Sequence, residues 1–257
     1  MSEGTRPRRL LILGGTAEAR ALAEAAAADP RLTVISSLAG RTQAPAALAG
    51  VVRVGGFGGA AGLARYLAEA EIDLMIDATH PFAARISHNA AEACAAAGVP
   101  RLLLQRPAWS AQPGDGWTVV QNTTEAAHAV ADLGRRVFLA LGRQDLAPFA
   151  ALTGHWFLLR LIEPPHEPLP LAAHTLVIAR GPFAEADEIA LLEQHRIEVL
   201  VSKNSGGSAT SAKLSAARAR GLPVVMIARP PMPPSEVAED VESACTWLEW
   251  KLSMTSL

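Results

Sequence analysis

The chain has only two cysteines, one tyrosine and three lysines in 257 residues, and no apolar run approaches the length of a membrane-spanning helix. Each shortage closes a class of function. Cys94 and Cys245 stand alone, without a CxxC pair or a neighbouring histidine, so neither a disulfide framework nor a metal site is expected. Without the roughly 18 consecutive apolar residues of a spanning helix, and with Met1 to Arg9 leading straight into a strand pattern, the sequence reads as a soluble cytoplasmic protein with no membrane partner. Basic and acidic residues nearly balance, 23 against 25, which leaves no global field to draw in nucleic acid. The lone tyrosine, Tyr66, is followed at the fourth position by Ala70, so the Tyr-x-x-x-Lys of a short-chain dehydrogenase or nucleotide-sugar epimerase is missing. No segment completes GxSxG, which removes a serine hydrolase of that kind. A monomer is expected.

What is present begins with a repeat. Gly98-Val99-Pro100, an apolar run and Arg106-Pro107 recur 123 residues later as Gly221-Leu222-Pro223, an apolar run and Arg229-Pro230. Each copy reads as a helix end, a buried strand and a turn, which implies two similar halves whose facing edges make a cleft. Apolar residues make up 50% of the chain, ample for packed cores. Short apolar runs alternate with Ala-rich helical stretches. Strands are expected at 10–13, 33–36, 51–54, 74–76 and 102–105, and again at 137–141, 156–162, 175–179, 199–201 and 224–228. That rhythm predicts an α/β protein of two Rossmann-like domains, each a mostly parallel doubly wound sheet, with an interdomain cleft. The Pro/Gly/Asp segment Ala111 to Gly116 is the expected linker, giving domains 1–112 and 113–257.

Candidate chemistry clusters where strands run into helices. Leu11-Ile12-Leu13-Gly14-Gly15-Thr16 is a strand entering a glycine pair and then a helix, the arrangement that brings backbone N–H groups to a pyrophosphate; the competing role is an ordinary turn capped by Thr16. The second strand ends Ser36-Ser37-Leu38-Ala39-Gly40-Arg41-Thr42, with no carboxylate to hold a ribose 2′-hydroxyl. Ser37, Arg41 and Thr42 would instead suit a 2′-phosphate, which favours NADPH over NADH. Gly55-Gly56-Phe57-Gly58-Gly59 offers a second close-approach loop. The fourth strand ends Asp77-Ala78-Thr79-His80-Pro81, where Pro81 suits a first helical position and His80 lies at the sheet mouth.

In the second half the 123-residue offset places Lys203 opposite His80 and Ser202 opposite Thr79. The segment Ser202 to Lys213 combines a Gly-Gly pair, many hydroxyls and two of the three lysines, an anion-binding nest at a helix start. Arg143, Arg180 and Arg229 also follow strand ends, so a rim of positive charge for a substrate with several carboxylates is expected.

In this order, Gly-Gly-Thr-x-Glu (14–18), Ser-Leu-Ala-Gly-Arg-Thr (37–42), Asp-Ala-Thr-His-Pro-Phe-Ala (77–83), Arg-Gly-Pro-Phe (180–183) and Ser-Lys-Asn-Ser-Gly-Gly (202–207) resemble the precorrin-6A reductase family, which includes cobalt-precorrin enzymes. The resemblance runs from Leu10 to about Pro230. It implies NADPH on the first domain, a polycarboxylate tetrapyrrole in the cleft, and hydride transfer to a conjugated C=N/C=C system that yields precorrin-6B in cobalamin biosynthesis. It also implies cofactor contacts from Gly14, Gly15, Thr16, Glu18, Ser37, Gly40, Arg41, Thr42, Gly56 and Thr79. Substrate contacts would come from Arg143, Arg180, Asn204, Ser205, Gly206, Gly207, Thr210, Lys213 and Arg229. His80 and Lys203 are the candidates to supply a proton. The rival reading is a non-catalytic NADPH- or tetrapyrrole-binding protein of the same fold, separated by whether the protein oxidises NADPH when offered precorrin-6A.

Overall fold

In the computed structural model, which describes residues 6–39 and 49–254, strands and helices alternate throughout. The first half runs β1 (Arg8–Leu13), α1 (Ala17–Ala27), β2 (Leu32–Leu38), β3 (Val51–Val54), α2 (Ala60–Glu69), β4 (Leu74–Asp77), α3 (Ala84–Ala97), β5 (Arg101–Leu104), β6 (Gly116–Val120) and α4 (Thr123–Ala131). The second runs β7 (Arg136–Ala140), β8 (Trp156–Leu161), β9 (His174–Ile178), α5 (Glu185–Gln194), β10 (Val199–Lys203), α6 (Ala212–Ala219), β11 (Pro223–Ile227), β12 (Glu236–Ala238) and α7 (Val241–Ser253). Among these helices none is long and apolar enough to cross a membrane.

The strands form two parallel six-stranded sheets, ordered β12-β5-β4-β1-β2-β3 and β6-β11-β10-β7-β8-β9. Burial on both faces explains the unbroken apolar run Leu10 to Leu13. Leu10 and Ile12 face α1 and α7, with Leu74, Ile76, Leu102 and Leu104 on the same side. Leu11, Leu13 and Met75 face α2 and α3 on the other side. Helix α1 buries Ala19, Leu22, Ala23 and Ala26, the i, i+3, i+4, i+7 stripe of one face. In the second sheet Phe138, Leu158, Leu200, Val224 and Met226 pack against α5 and α6. Both copies of the repeated phrase do what their composition asks: Gly98 and Gly221 take left-handed φ of 66° and 61° just past α3 and α6, and β5 and β11 follow.

The domain division differs from the expected one. One unit comprises the chain up to Pro107 together with the segment from Pro230 onward, and the other is Ala108–Arg229. Residues after Arg229, expected in the second domain, return to the first sheet: β12 pairs with β5, and Ala244, Leu248 and Leu252 of α7 join the α1 core. The segment expected as a linker leads instead into β6, which pairs with β11. Each repeat of five strands therefore donates its next strand to the other repeat's sheet. The strand crossing out of the first repeat is β6, and the one crossing back is β12. The two Arg-Pro dipeptides mark the crossings, at Pro107/Ala108 and Arg229/Pro230.

The pairing registers also correct the offset. Asp77 pairs with Leu103 and Ser202 with Met226, so the counterpart of Ser202 is Asp77 rather than Thr79, and Lys203 corresponds to Ala78 rather than His80. The two-residue slip arises in the crossover, where α6 is shorter than α3. Pro81 is likewise not a first helical residue: α3 starts at Ala84, and Pro81-Phe82 form a turn before it.

Candidate functional site

In each sheet the strand order reverses between two neighbours, β1 and β4 in the first, β7 and β10 in the second. Loops leaving the carboxyl ends of such strands diverge and open a crevice, which is where ligands of open α/β sheets bind. Of the residues singled out by sequence, Gly14, Gly15, Thr16, Thr79 and His80 follow β1 or β4, and Arg143 and Asn204 to Gly207 follow β7 or β10, with Lys203 ending β10.

In the first unit, β1 leads through Gly14 and Gly15 into α1. Gly14 N–H donates to Ser37 O at 2.9 Å. Gly15 has φ 121°, a value side-chain-bearing residues rarely adopt, and a Cβ there would project into open space with nothing within 4 Å. Thr16 caps α1: its Oγ1 accepts from Ala19 N–H at 3.0 Å and donates to Ala78 O at 2.8 Å, tying the β1 loop to the end of β4. The other first-turn N–H groups of α1 have no intrahelical acceptor by the geometry of any helix start. This cradle, open where a Gly15 side chain would project and rich in N–H donors, fits a pyrophosphate.

Glu18, in the first turn of α1, is engaged by Arg106, whose Nη1 lies 2.9 and 2.8 Å from the two carboxylate oxygens. Its carboxylate thus holds the crossing after β5 against α1. Ser37 is buried, with Arg53 Nη1 3.5 Å from its hydroxyl. Arg53 itself went unnoticed in the sequence. It donates to the carbonyls of Gly55 (2.5 Å) and Gly56 (2.9 Å) and stacks 3.8 Å over Phe57, bracing the glycine loop. Gly62 completes that brace, because a Cβ there would lie 1.7 Å from Phe57 O. Gly40, Arg41 and Thr42 lie outside the described residues.

At the end of β4, Thr79 is buried and donates from N and Oγ1 to Asp77 Oδ1, at 3.1 and 2.7 Å. Asp77 is fully buried, and among the described residues its Oδ2 has no hydrogen-bond partner. An ionisable side chain so placed at a sheet mouth is a functional candidate, and it stood unremarked within the quoted motif. His80 is exposed, and its Nδ1 accepts from Phe82 N–H at 3.2 Å. That bond leaves the proton of the neutral ring on Nε2.

The second mouth is built from charge. Lys203 at the end of β10 pairs with Asp145, Nζ to Oδ2 2.6 Å, so its ammonium is anchored to the loop after β7 that also carries Arg143. Arg180 is exposed in the loop after β9, and a Cβ on Gly181 would lie 3.0 Å from Ala209 O, which brings this loop against the 204–211 segment. Gly206 and Gly207 have φ of 68° and 77°. Arg229, expected to face substrate, donates from Nε to Asn204 O (2.9 Å) and from Nη2 to Ser205 O (3.1 Å).

Lys213 departs furthest from expectation. It lies on the inward side of α6, only 7% exposed, donates to Thr210 O at 2.6 Å and sits 4.7 Å over the Trp109 ring. Burial lowers its pKa from the ordinary 10.5 to about 8, with Arg160 adding to the depression and Glu188 opposing it. A side chain so enclosed shapes the loop from beneath. Nearby, Arg160 of β8 and Glu188 of α5 form a buried ion pair at 2.7 Å, and Arg160 stacks 4.0 Å over Phe183 of the Arg-Gly-Pro-Phe loop. Neither was recognisable from sequence, since their partners are distant in it.

Comparison with known proteins identifies a family. The family model described as Precorrin-6x reductase CbiJ/CobK matches residues 9–249. A Precorrin-6A reductase of Rhodococcus erythropolis is 53% identical over 93% of this chain and 97% of its own length. One from Rhodobacter capsulatus is 47% identical over 93% and 95%. A Cobalt-precorrin-6A reductase of Salmonella typhimurium is 31% identical over 90% and 89%. A solved structure named CobK precorrin-6A reductase superimposes with a TM-score of 0.87 at 46% identity, covering 94% of this chain and 96% of that one.

Proposed function

The chain belongs to the precorrin-6x reductase family of cobalamin biosynthesis, and we propose that it reduces precorrin-6A to precorrin-6B with NADPH bound at the first mouth. The observation that carries the cofactor assignment is the Gly14-Gly15-Thr16 cradle: a left-handed glycine, open space in place of a side chain, and the start of α1. No carboxylate ends β2, where an NAD-specific site would carry one, and Arg41 and Thr42 follow in the sequence to meet a 2′-phosphate. When bound, the reduced nicotinamide supplies the hydride.

The protein's own residues do the rest. Thr16 and Thr79 fix the loops at the mouth through Ala78 and Asp77, so the cradle is formed before the cofactor arrives. Glu18 and Arg106 keep α1 registered to the end of β5. At the second mouth Lys203, Arg143, Arg180 and the donors of 204–210 receive the carboxylates of the tetrapyrrole. His80 Nε2 and Lys203 Nζ are the proposed side-chain sources of the proton that accompanies hydride addition, with bound water as the alternative.

The test is an anaerobic assay with precorrin-6A, following nicotinamide absorbance with NADPH and with NADH. NADPH should be oxidised at least tenfold more efficiently, and Arg41→Ala should erode that preference by weakening NADPH alone. No NADPH oxidation with a well-folded protein would leave the non-catalytic binding reading in its place.

A further inference from the structure

We propose that Trp109 is a positioning residue that sets the Asn204–Gly207 loop in its substrate-receiving form, an inference that rests on the reading of this loop as the tetrapyrrole site. Trp109 lies just past the first crossing at Pro107/Ala108. Its backbone N–H donates to Asn204 Oδ1 at 2.8 Å, and its carbonyl accepts from Asn204 Nδ2 at 2.9 Å. The Asn204 side chain therefore pairs with the Trp109 backbone as a neighbouring strand would. The indole Nε1–H reaches the far end of the loop, donating to Gly207 O at 2.8 Å. The same ring carries Lys213, which in turn holds Thr210 O.

The second crossing grips the loop from its other end. Arg229, the last residue before the chain passes back at Pro230, donates to Asn204 O and Ser205 O. Both crossings between the units thus terminate on one short loop. Such anchoring is needed because Gly206 and Gly207 give the segment many alternative conformations that must be lost when the loop is ordered. It also has a direction. In a trans peptide the carbonyl and the following N–H point opposite ways. Drawing Gly207 O onto Trp109 turns the Ser208 N–H away from the indole, as an anion donor requires.

The experiment compares Trp109→Phe, Arg229→Lys and Lys203→Met in the intact enzyme, with matched melting temperatures as the folding control. Phenylalanine keeps an aromatic ring beneath Lys213 while losing the N–H to Gly207 and part of the indole's bulk, which the melting-temperature control reads; lysine keeps charge but cannot span two carbonyls. The expected result for Trp109→Phe and Arg229→Lys is a KM for precorrin-6A raised about five- to tenfold, with kcat and the NADPH dissociation constant within twofold of the parent. If Lys203→Met raises this KM and neither of the other two does, the positioning role is overturned while the loop stays the substrate site. If all three leave it unchanged, the reading of the loop itself falls. A parallel loss of NADPH affinity in Trp109→Phe would also overturn the inference, since it would show a general structural effect.

Discussion

The two sheets share strand spacing and order, yet their mouths are chemically unlike. At the first, backbone dominates, with Gly14, Gly15 and the start of α1 held by Thr16 and a buried Asp77–Thr79 contact. At the second, side chains dominate: Lys203 on Asp145, exposed Arg143 and Arg180, and a loop pinned by Trp109 and Arg229. The same register position shows the divergence. Gly15 corresponds through the β1–β4 and β7–β10 pairings to Gly142, but Gly15 has φ 121° and Gly142 has φ −79°. The same strand order therefore carries a backbone-lined mouth in one sheet and a charged mouth in the other.

The contrast is broken most severely at that pair. Gly15→Val should cut NADPH affinity on the order of 100-fold, since a branched residue at that φ costs roughly 1–3 kcal/mol and its side chain fills the cradle. Gly142→Ala should change NADPH affinity less than twofold. Fluorescence titration of both checks the asymmetry. Next in size, Gly62→Ala should destabilise the protein by about 3 kcal/mol, because its Cβ would collide with Phe57 O; denaturant unfolding measures it.

Lys213 gives the second unit a pH signature of its own. Its folded pKa, about 8, lies below the ordinary value of 10.5, so across that window the unfolded chain holds the extra proton. Stability from this group is therefore lowest below pH 8 and rises toward pH 10.5. Relative to Lys213→Met, the parent should gain on the order of 1–3 kcal/mol between pH 7 and pH 10.5. Unfolding at the two pH values reads it, and a difference independent of pH would refute it. Smallest of all, Glu18→Gln should cost about 1 kcal/mol and add little to Arg106→Gln, because a partly buried pair still reached by solvent contributes modestly and the two share one interaction.

The strand-helix rhythm was legible because β1, β4, β7, β10 and β11 are buried on both faces and so read as apolar runs. Strands β6 and β12 were not, because they are edge strands with largely exposed side chains: Glu-Val-Ala is only three residues long, and Gly-Trp-Thr-Val-Val, although rich in strand formers, follows directly on the Pro/Gly/Asp segment and has no buried apolar run. Their exchange between sheets could not be read locally, since the choice of pairing partner lies more than a hundred residues away. The mouths were legible through glycine, histidine and lysine motifs, but their wiring was not. Lys203 finds Asp145 across 58 residues and Arg106 finds Glu18 across 88. The 123-residue repeat showed the doubling of the strand pattern but not the two crossings at its Arg-Pro dipeptides, and by its two-residue slip it pointed incorrectly to a His80–Lys203 equivalence.

The most direct test of a backbone mouth for the nucleotide and a charged mouth for the tetrapyrrole is a crossed binding measurement on Gly15→Val and Lys203→Met. Each is titrated separately with NADPH and with precorrin-6A. The account predicts that Gly15→Val loses NADPH and keeps precorrin-6A, while Lys203→Met keeps NADPH and loses at least tenfold in precorrin-6A affinity. Loss of NADPH by Lys203→Met with its precorrin-6A affinity intact would contradict it.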